Sequence, residues 1–195
     1  MASTFEALLL AQVGYLMSNA VQPISKQTLV SPAAAVTFSN IPQTYSHLLL
    51  ISRAKSASTA TNFISDNLAL QFNGVTSASY NTTAAFATQA GTVLAGFASA
   101  KTYLELGAIW TSFSPNTAGS GNALTLIANY TDTSFAKSAV SLSYASDGGT
   151  SADVHIAGGA LLASVTTAAV TSIAAVTVSG ANFTVGTSLE LLGVP

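Results

Sequence analysis

The hydrophobic pattern of the chain changes near residue 27. Before that point, apolar residues recur three to four positions apart, which is the spacing of one face of a helix. After it, short runs rich in Val, Leu, Ile, Thr and aromatic residues alternate with Ser, Asn, Gly and Asp, as in strands separated by turns. The pattern therefore predicts a helical arm over residues 1–26 and an all-β domain over residues 27–195.

The arm is predicted to be helical over residues 3–19. Ser3 and Glu6 have the spacing of a capping box, in which each side chain bonds the other's backbone N–H. The apolar residues at helical spacing are Phe5, Leu8, Leu9, Val13, Leu16 and Met17. The segment either packs on its own domain or docks on a neighbouring subunit. In the second case we expect the assembly contacts to be Phe5, Leu8, Leu9, Val13 and Leu16.

Ten later segments have the composition of strands. They are Thr28–Ser31, Ala35–Ser39, His47–Ala54, Asn67–Phe72, Thr102–Trp110, Ala123–Tyr130, Ala136–Tyr144, Asp153–Leu162, Ile173–Ser179 and Ser188–Leu192. The alanine-rich stretch Thr82–Ala100 fits no element clearly. Many short strands without intervening helices indicate an antiparallel, jelly-roll-like β-sandwich.

Two of these predicted strands, and one turn, allow more specific predictions. In the segment Asn67–Phe72, alternation places Leu68, Leu70 and Phe72 on one face of the strand. The run Leu48–Ile51 is continuously apolar, as expected for a strand covered on both faces. The pair Asn73-Gly74 predicts a tight turn, because both residues tolerate positive φ.

Charge is unusually scarce. The chain of 195 residues has 5 Lys+Arg and 7 Asp+Glu, so that 6% of its residues are charged, against about 25% in an average soluble domain. So few cations exclude a phosphate-binding track, and we expect no nucleic-acid partner. A surface of hydroxyl, amide and small apolar groups is cheap to desolvate, which favours permanent burial against other subunits.

Candidate chemistry is sparse. The only histidines are His47 and His155, and Asp153 faces the same side of a strand as His155, but the pair identifies no nucleophile among so many serines. Two histidines without cysteine leave too few ligands for zinc. We therefore expect a protein that is not an enzyme, with no catalytic, cofactor-binding or metal-binding residues, and no membrane partner.

The sequence resembles a group of tailed-bacteriophage virion proteins. The resemblance begins at Thr37–Tyr45, read as TFSNIPQTY, followed by a hydrophobic strand and Arg53. It continues through Phe72-Asn73-Gly74 and Tyr80, then through Ile127–Tyr130 with Lys137 after it. The C-terminal matches are Thr171-Ser172-Ile173 and the closing stretch Ser188–Gly193. The chain departs from the group where a Trp is usual, with Ala160-Leu161-Leu162 in its place.

The resemblance implies a non-enzymatic β-sandwich located on the virion. We expect a homo-oligomer, most simply a trimer, which binds the major capsid protein on the capsid exterior as a decoration (cement) protein. The alternative is a tail fibre or tail appendage module that contacts the host surface. Trp110 and Arg53 fall in or beside predicted strands, and the long loop Thr111–Gly121 offers Phe113 as its one aromatic anchor. Because recognition surfaces concentrate Trp, Tyr and Arg, this distribution favours decoration.

Overall fold

The computed structural model describes residues 21–59, 65–88, 93–112, 119–146 and 152–195, and this part of the chain contains strands and no helix. The predicted all-β class is therefore confirmed. The strands are β1 (Gln22–Thr28), β2 (Ala35–Phe38), β3 (His47–Ser56), β4 (Ser65–Phe72), β5 (Tyr80–Thr88), β6 (Val93–Lys101), β7 (Leu104–Thr111), β8 (Ser120–Ala128), β9 (Lys137–Ser146), β10 (Ala152–Leu161), β11 (Ile173–Thr177) and β12 (Ser188–Val194).

The twelve strands form one open sheet with the order β2-β11-β4-β7-β3-β8-β9-β10-β5-β6, and β12 joins β1 to β3 as a branch. Neighbours are antiparallel, except that β3 and β7 run parallel over two residue pairs. β7 also contacts β8, β9, β10 and β5 without pairing with them. The β2-β11-β4-β7 end of the sheet therefore folds back over the β8-β9-β10 part.

The main hydrophobic core involves strands from both ends of this folded sheet. Its largest fully buried side chains include Tyr80, Tyr130, Phe72 and Phe183. Leu68, Leu70 and Phe72 are completely buried, which confirms the predicted inward face of β4. Burying side chains of this size contributes about 1.5–3 kcal/mol each, so this core is the principal stabilising element.

The predicted turn at Asn73-Gly74 is confirmed, with φ of 50° and 70° at the two residues. The Asn73 side chain also ties this turn to a distant loop. Its Nδ2 donates to the Ala169 carbonyl at 2.8 Å, and its Oδ1 accepts from the backbone N–H groups of Thr171 at 2.8 Å and Ser172 at 3.2 Å. One side chain thereby fixes the entry into β11.

Two strand predictions need correction. β1 occupies Gln22–Thr28 rather than Thr28–Ser31, so the sheet begins inside the segment assigned to the arm. Pro23 is tolerated there because β1 is an edge strand, where an absent N–H need not face a neighbour. The unassigned stretch Thr82–Ala100 contributes to the hairpin of β5 and β6. The helix predicted over residues 3–19 lies outside the described residues.

The prediction that the Leu48–Ile51 run is covered on both faces is also wrong for the described part of the chain. Leu48 and Leu50 are fully buried, whereas Ile51 is 43% exposed. Strand alternation explains the difference, because even-numbered residues of β3 point into the core and odd-numbered residues point outward. One face of this strand therefore lacks a covering layer.

Candidate functional site

The outward side of the strands β3, β8, β9, β10, β5 and β6 carries a continuous apolar surface. Residues directly opposite each other on paired strands share a face, so the register defines three rows across it. The rows are Leu49-Leu126-Val140-Gly158-Thr83-Phe97, Ile51-Leu124-Leu142-Ile156-Ala85-Ala95 and Arg53-Asn122-Tyr144-Val154-Ala87-Val93. We call these eighteen residues the outer face.

Large apolar side chains on the outer face are open to solvent. Leu142 is 54% exposed, Ile156 57% and Phe97 68%. At ordinary strand spacings the outer face covers roughly 29 by 20 Å, or about 600 Å². Patches of this size on a monomer commonly mark a binding surface, and a stable protein–protein interface buries about 800 Å² on each partner.

Charge is almost missing from the outer face. Arg53 is the one charged residue among the three rows. Beyond its edge, the pair of Lys26 and Glu190 lies at 3.5 Å on β1 and β12. A surface without an acid and with one cation at its border loses little hydration energy when it is covered.

The reverse side of β9, in the middle of this surface, carries mainly small and polar residues. In β9, the buried residues include Ala139, Ser141 and Ser143, while Val140, Leu142 and Tyr144 point outward. The buried hydroxyls of Thr125 and Ser141 bond each other at 3.0 Å. Small residues are required on this side because β7 lies directly against it.

At Gly107, the β7 backbone packs tightly against β9 and β10. Its φ is +119°, and a Cβ there would fall 2.3 Å from Ser143 Oγ and 2.9 Å from His155 Cβ. Only a glycine backbone fits at this contact. The inward positions nearest this contact, such as Ser143, therefore have no room for large apolar residues, and the neighbouring Leu142 and Tyr144 lie on the outer face.

Two shallow grooves cross the outer face. One, of about 290 Å³, is lined mainly by Leu49, Leu126, Val140 and Ile156, and the other, of about 400 Å³, mainly by Ile51, Arg53, Tyr144 and Val154. Leu124 and Leu142 line both grooves. Apolar grooves between rows of side chains are suited to receiving side chains of a covering element.

Asp153 and His155 lie together on the buried side of β10, as the alternation predicts. The His155 ring stacks on Phe86 with centroids 4.9 Å apart. Burial lowers the pKa of His155 below its usual 6.5, while the nearby Asp153 partly opposes this effect. Ser143 is the residue opposite His155 on β9, but its Oγ has no hydrogen-bond partner in the described structure. The arrangement therefore lacks the serine–histidine hydrogen bond of a hydrolytic triad.

Asp66, Glu105 and Trp110 make contacts that stabilise the fold. Asp66 accepts hydrogen bonds from the backbone N–H and hydroxyl of Ser179, at 3.1 and 2.5 Å, and so holds the turn after β11. Glu105 accepts from Asn67 Nδ2, and burial raises its pKa above the usual value. Trp110 is fully buried, with Gly119 packed against its indole ring. These contacts hold elements of the fold together.

The residues that carry the phage resemblance also hold loops together. Tyr130 donates its hydroxyl proton to the Pro42 carbonyl, and Gln43 donates to the carbonyls of Ile41 and Val170 at 2.9 and 3.0 Å. The Tyr80 hydroxyl accepts from the Phe72 N–H at 2.9 Å and donates to the Val75 carbonyl at 3.1 Å. The motifs therefore have structural roles in this chain.

The five predicted assembly residues of the arm, Phe5, Leu8, Leu9, Val13 and Leu16, lie outside the described residues, as does most of the loop Thr111–Gly121. Within the described ranges, no group of three or more His, Asp or Glu residues could hold a metal ion. The same ranges contain no helix long and apolar enough to cross a bilayer.

Comparison with known proteins adds no relative: no protein-family model, no curated protein and no solved structure shows significant similarity to this chain.

Proposed function

We propose that this protein is a non-enzymatic structural protein of a bacteriophage particle, and that it works as a homo-oligomer. The assembly part of the proposal rests on the outer face, where five of the six adjacent strands expose bulky apolar side chains. Covering them stabilises an assembly by about 1.5–3 kcal/mol for each large side chain buried. The resemblance of the motifs at Thr37–Tyr45 and Phe72–Gly74 supports the virion part.

Subunit contacts are assigned to the β10–β5–β6 portion of the outer face, which comprises Val154, Ile156, Gly158, Thr83, Ala85, Ala87, Val93, Ala95 and Phe97. β6 is an edge strand, and both its outward Phe97 and its inward Leu94 are exposed. A long apolar edge with Lys101 as its one charged residue is unprotected against association. Contact with a second copy would cover both the edge and the adjoining face.

The proposed architecture is a jelly-roll-like sandwich, in which the folded-back β2-β11-β4-β7 end forms the second layer. The proposed oligomer is a trimer that binds the major capsid protein on the capsid exterior. Bridging neighbouring capsid subunits would stabilise the shell, because a partner that binds only the assembled state shifts the equilibrium towards it. The alternative position is the tail, as a fibre or appendage module.

Counting the copies of this protein in purified particles tests the proposal. Quantitative mass spectrometry against the major capsid protein is expected to find hundreds of copies per particle. A few tens of copies or fewer would contradict capsid decoration and place the protein on the tail. Failure to find it in particles would overturn the virion proposal itself.

A test on polysaccharide substrates addresses the non-enzymatic part. Purified protein is expected to leave capsular and cell-wall polysaccharides intact, because His155 is packed between strands. Cleavage that is lost in a His155→Gln variant would contradict the proposal. A Thr37→Ala variant, altered at an exposed position on β2, is the matched control.

A further inference from the structure

The two portions of the outer face have opposite relief. The outer-face residues of β3, β8 and β9, which we call the β3–β8–β9 portion, are mostly large and apolar, and their middle row consists of Ile51, Leu124 and Leu142. In the β10–β5–β6 portion, the outward residues of β5 and of the centre of β6 are small. They are Thr83, Ala85, Ala87 and Ala95, all of them exposed. The β10–β5–β6 portion therefore has a trough where the β3–β8–β9 portion has large side chains.

Two large side chains on β6 border this trough. Phe97 lies in the first of the three rows and is 68% exposed, and Val93 lies in the third row and is 73% exposed, with Ala95 between them. On the β3–β8–β9 portion, one groove lies between the first and middle rows, and the other lies between the middle and third rows. Leu124 and Leu142 form the ridge that separates these grooves. Two projecting side chains with a gap between them thus correspond to two grooves with a ridge between them.

A rotation about an axis along the strands brings these features of two copies together. Such a rotation leaves each residue at its own level along the axis, so every row of one copy meets the same row of the next copy. In the middle row, the small Ala85 and Ala95 then come opposite the ridge of Leu124 and Leu142. In the first row, Phe97 comes level with the groove of about 290 Å³. Layers interdigitate when large residues face small ones, so the two portions can pack closely.

The area of the contact also favours the use of both portions. The β10–β5–β6 portion is half of the outer face, or about 300 Å², whereas a stable interface buries about 800 Å² on each partner. A copy that uses both portions buries about 600 Å², and the unprotected edge of β6 adds to this area. A contact between two unlike surfaces of identical chains is head-to-tail, and it closes into a ring when the rotation allows.

From this complementarity we infer that the β3–β8–β9 portion of each copy is covered by the β5–β6 hairpin of the next copy, and that three such contacts close the ring. Ala85 and Ala95 of one copy lie over Leu124 and Leu142 of its neighbour. The inference rests on the proposed function, since it names the partner surface for the proposed subunit contact.

Engineered cysteines test this contact, because the chain has no cysteine of its own. In the double variant Leu124→Cys/Ala95→Cys, the two positions of one copy lie four strands apart, or about 19 Å, which is too far for a disulfide. Mild oxidation, or a bismaleimide shorter than this separation, is therefore expected to link different copies. The expected product on a denaturing gel is a covalent species of three chains.

The controls and the contrary outcomes are specific. The double variant Leu124→Cys/Thr37→Cys, with its second position on exposed β2, is expected to remain single chains. Products that stop at two chains would overturn the ring in favour of a two-fold pair. Linkage in Leu124→Cys alone would overturn the inference in favour of contact between like portions, and an assembled double variant without linkage would show that another occupant covers the β3–β8–β9 portion.

An exchange of side-chain size supplies an independent readout. Ala95→Leu fills the gap between Phe97 and Val93, and it is expected to raise the protein concentration needed for half-assembly about tenfold or more, the range for overpacking. The double variant Ala95→Leu/Leu124→Ala is expected to restore assembly, and Thr37→Leu is the matched control. Light scattering measures the assembly, and circular dichroism checks that each variant folds. Normal assembly of Ala95→Leu would contradict the inference.

Failure of this inference is distinguishable from failure of the proposed function. A chain that assembles but forms no link between positions 95 and 124 keeps the proposed assembly and loses this inference. A natural chain that stays monomeric at every concentration loses the assembly proposal, and this inference with it.

Discussion

The two faces of strands β8, β9 and β10 differ in the kind of residue they carry and in how completely it is covered. On the inward face, Ser141, Ser143 and Ala157 are small and almost fully buried under β7. On the outer face, Leu142, Tyr144 and Ile156 are large and about half exposed. In a self-sufficient domain the large apolar residues would be the buried ones. In the described part of the chain, the large apolar residues on the outward side of these strands therefore have no covering layer.

On the inward face, the β7 backbone packs closely against small side chains, so no large side chains are needed to fill the space. At Gly107 the β7 backbone touches Ser143 and His155, so a single added methyl group would collide with both. The β4 region of the core is different, since Leu68, Leu70 and Phe72 fill it with large side chains. Stability in the isolated chain should therefore depend on the β4 core, and the outer face should contribute only when something covers it.

The largest expected contrast is between truncations in these two regions. Leu70→Ala removes a fully buried side chain and is expected to lower the free energy of unfolding by about 2–5 kcal/mol. Ile156→Ala, at an exposed position of the outer face, is expected to lower it by less than about 1 kcal/mol in dilute protein. Urea unfolding followed by circular dichroism measures both. Equal losses would show that the outer face is already buried in the monomer.

A smaller contrast concerns two asparagines. Asn73→Ala removes the hydrogen bonds to Ala169, Thr171 and Ser172 and places alanine at positive φ, so the expected loss is about 1–3 kcal/mol. Asn122→Ala, at an exposed position of the outer face, is the matched control, with an expected change within about 0.5 kcal/mol. The same urea titration compares them, and a harmless Asn73→Ala would contradict the assigned role of this side chain.

The smallest expected effect is a pH dependence from the inward face. Because burial lowers the pKa of His155 below 6.5, the unfolded chain binds more protons than the folded chain just below that pH. The contribution of His155 is therefore fully present above about pH 6.5 and is lost as the pH falls. Unfolding midpoints at pH 7.5 and 5.5 should differ more in the natural chain than in His155→Gln. An equal pH response in both proteins would contradict the assignment.

Sequence patterns predicted the strands better than the faces they bury. Composition predicted the strand Ala136–Tyr144, which overlaps β9, but the usual rule for an alternating strand would turn Val140 and Leu142 inward and Ser141 and Ser143 outward. The structure has the reverse orientation, because the space on the inner side is set by the approach of Gly107 from a distant strand. Local pattern carries no information about that approach.

The sequence did not predict the β5–β6 hairpin, for a related reason. Alanines and glycines give Thr82–Ala100 little intrinsic strand preference, and its conformation depends on pairing with β10, more than sixty residues later in the chain. Nor did the sequence analysis single out the outer face, which exists only when six strands come together. The signal present in the sequence was the run Leu48–Ile51, which places apolar residues on both faces of β3.

The central claim is that the β10–β5–β6 portion of the outer face is buried by another copy of the chain, and light scattering across a wide concentration range tests it most directly. The natural chain is expected to have the mass of three chains, with little dependence on salt, because the contacts are apolar. Ile156→Asp is expected to reduce the mass to one chain, while Ser138→Asp, an exposed position on β9 outside the three rows, is expected to leave it unchanged. A natural chain that remains a single chain at every concentration would contradict the claim, as would an Ile156→Asp variant that assembles normally.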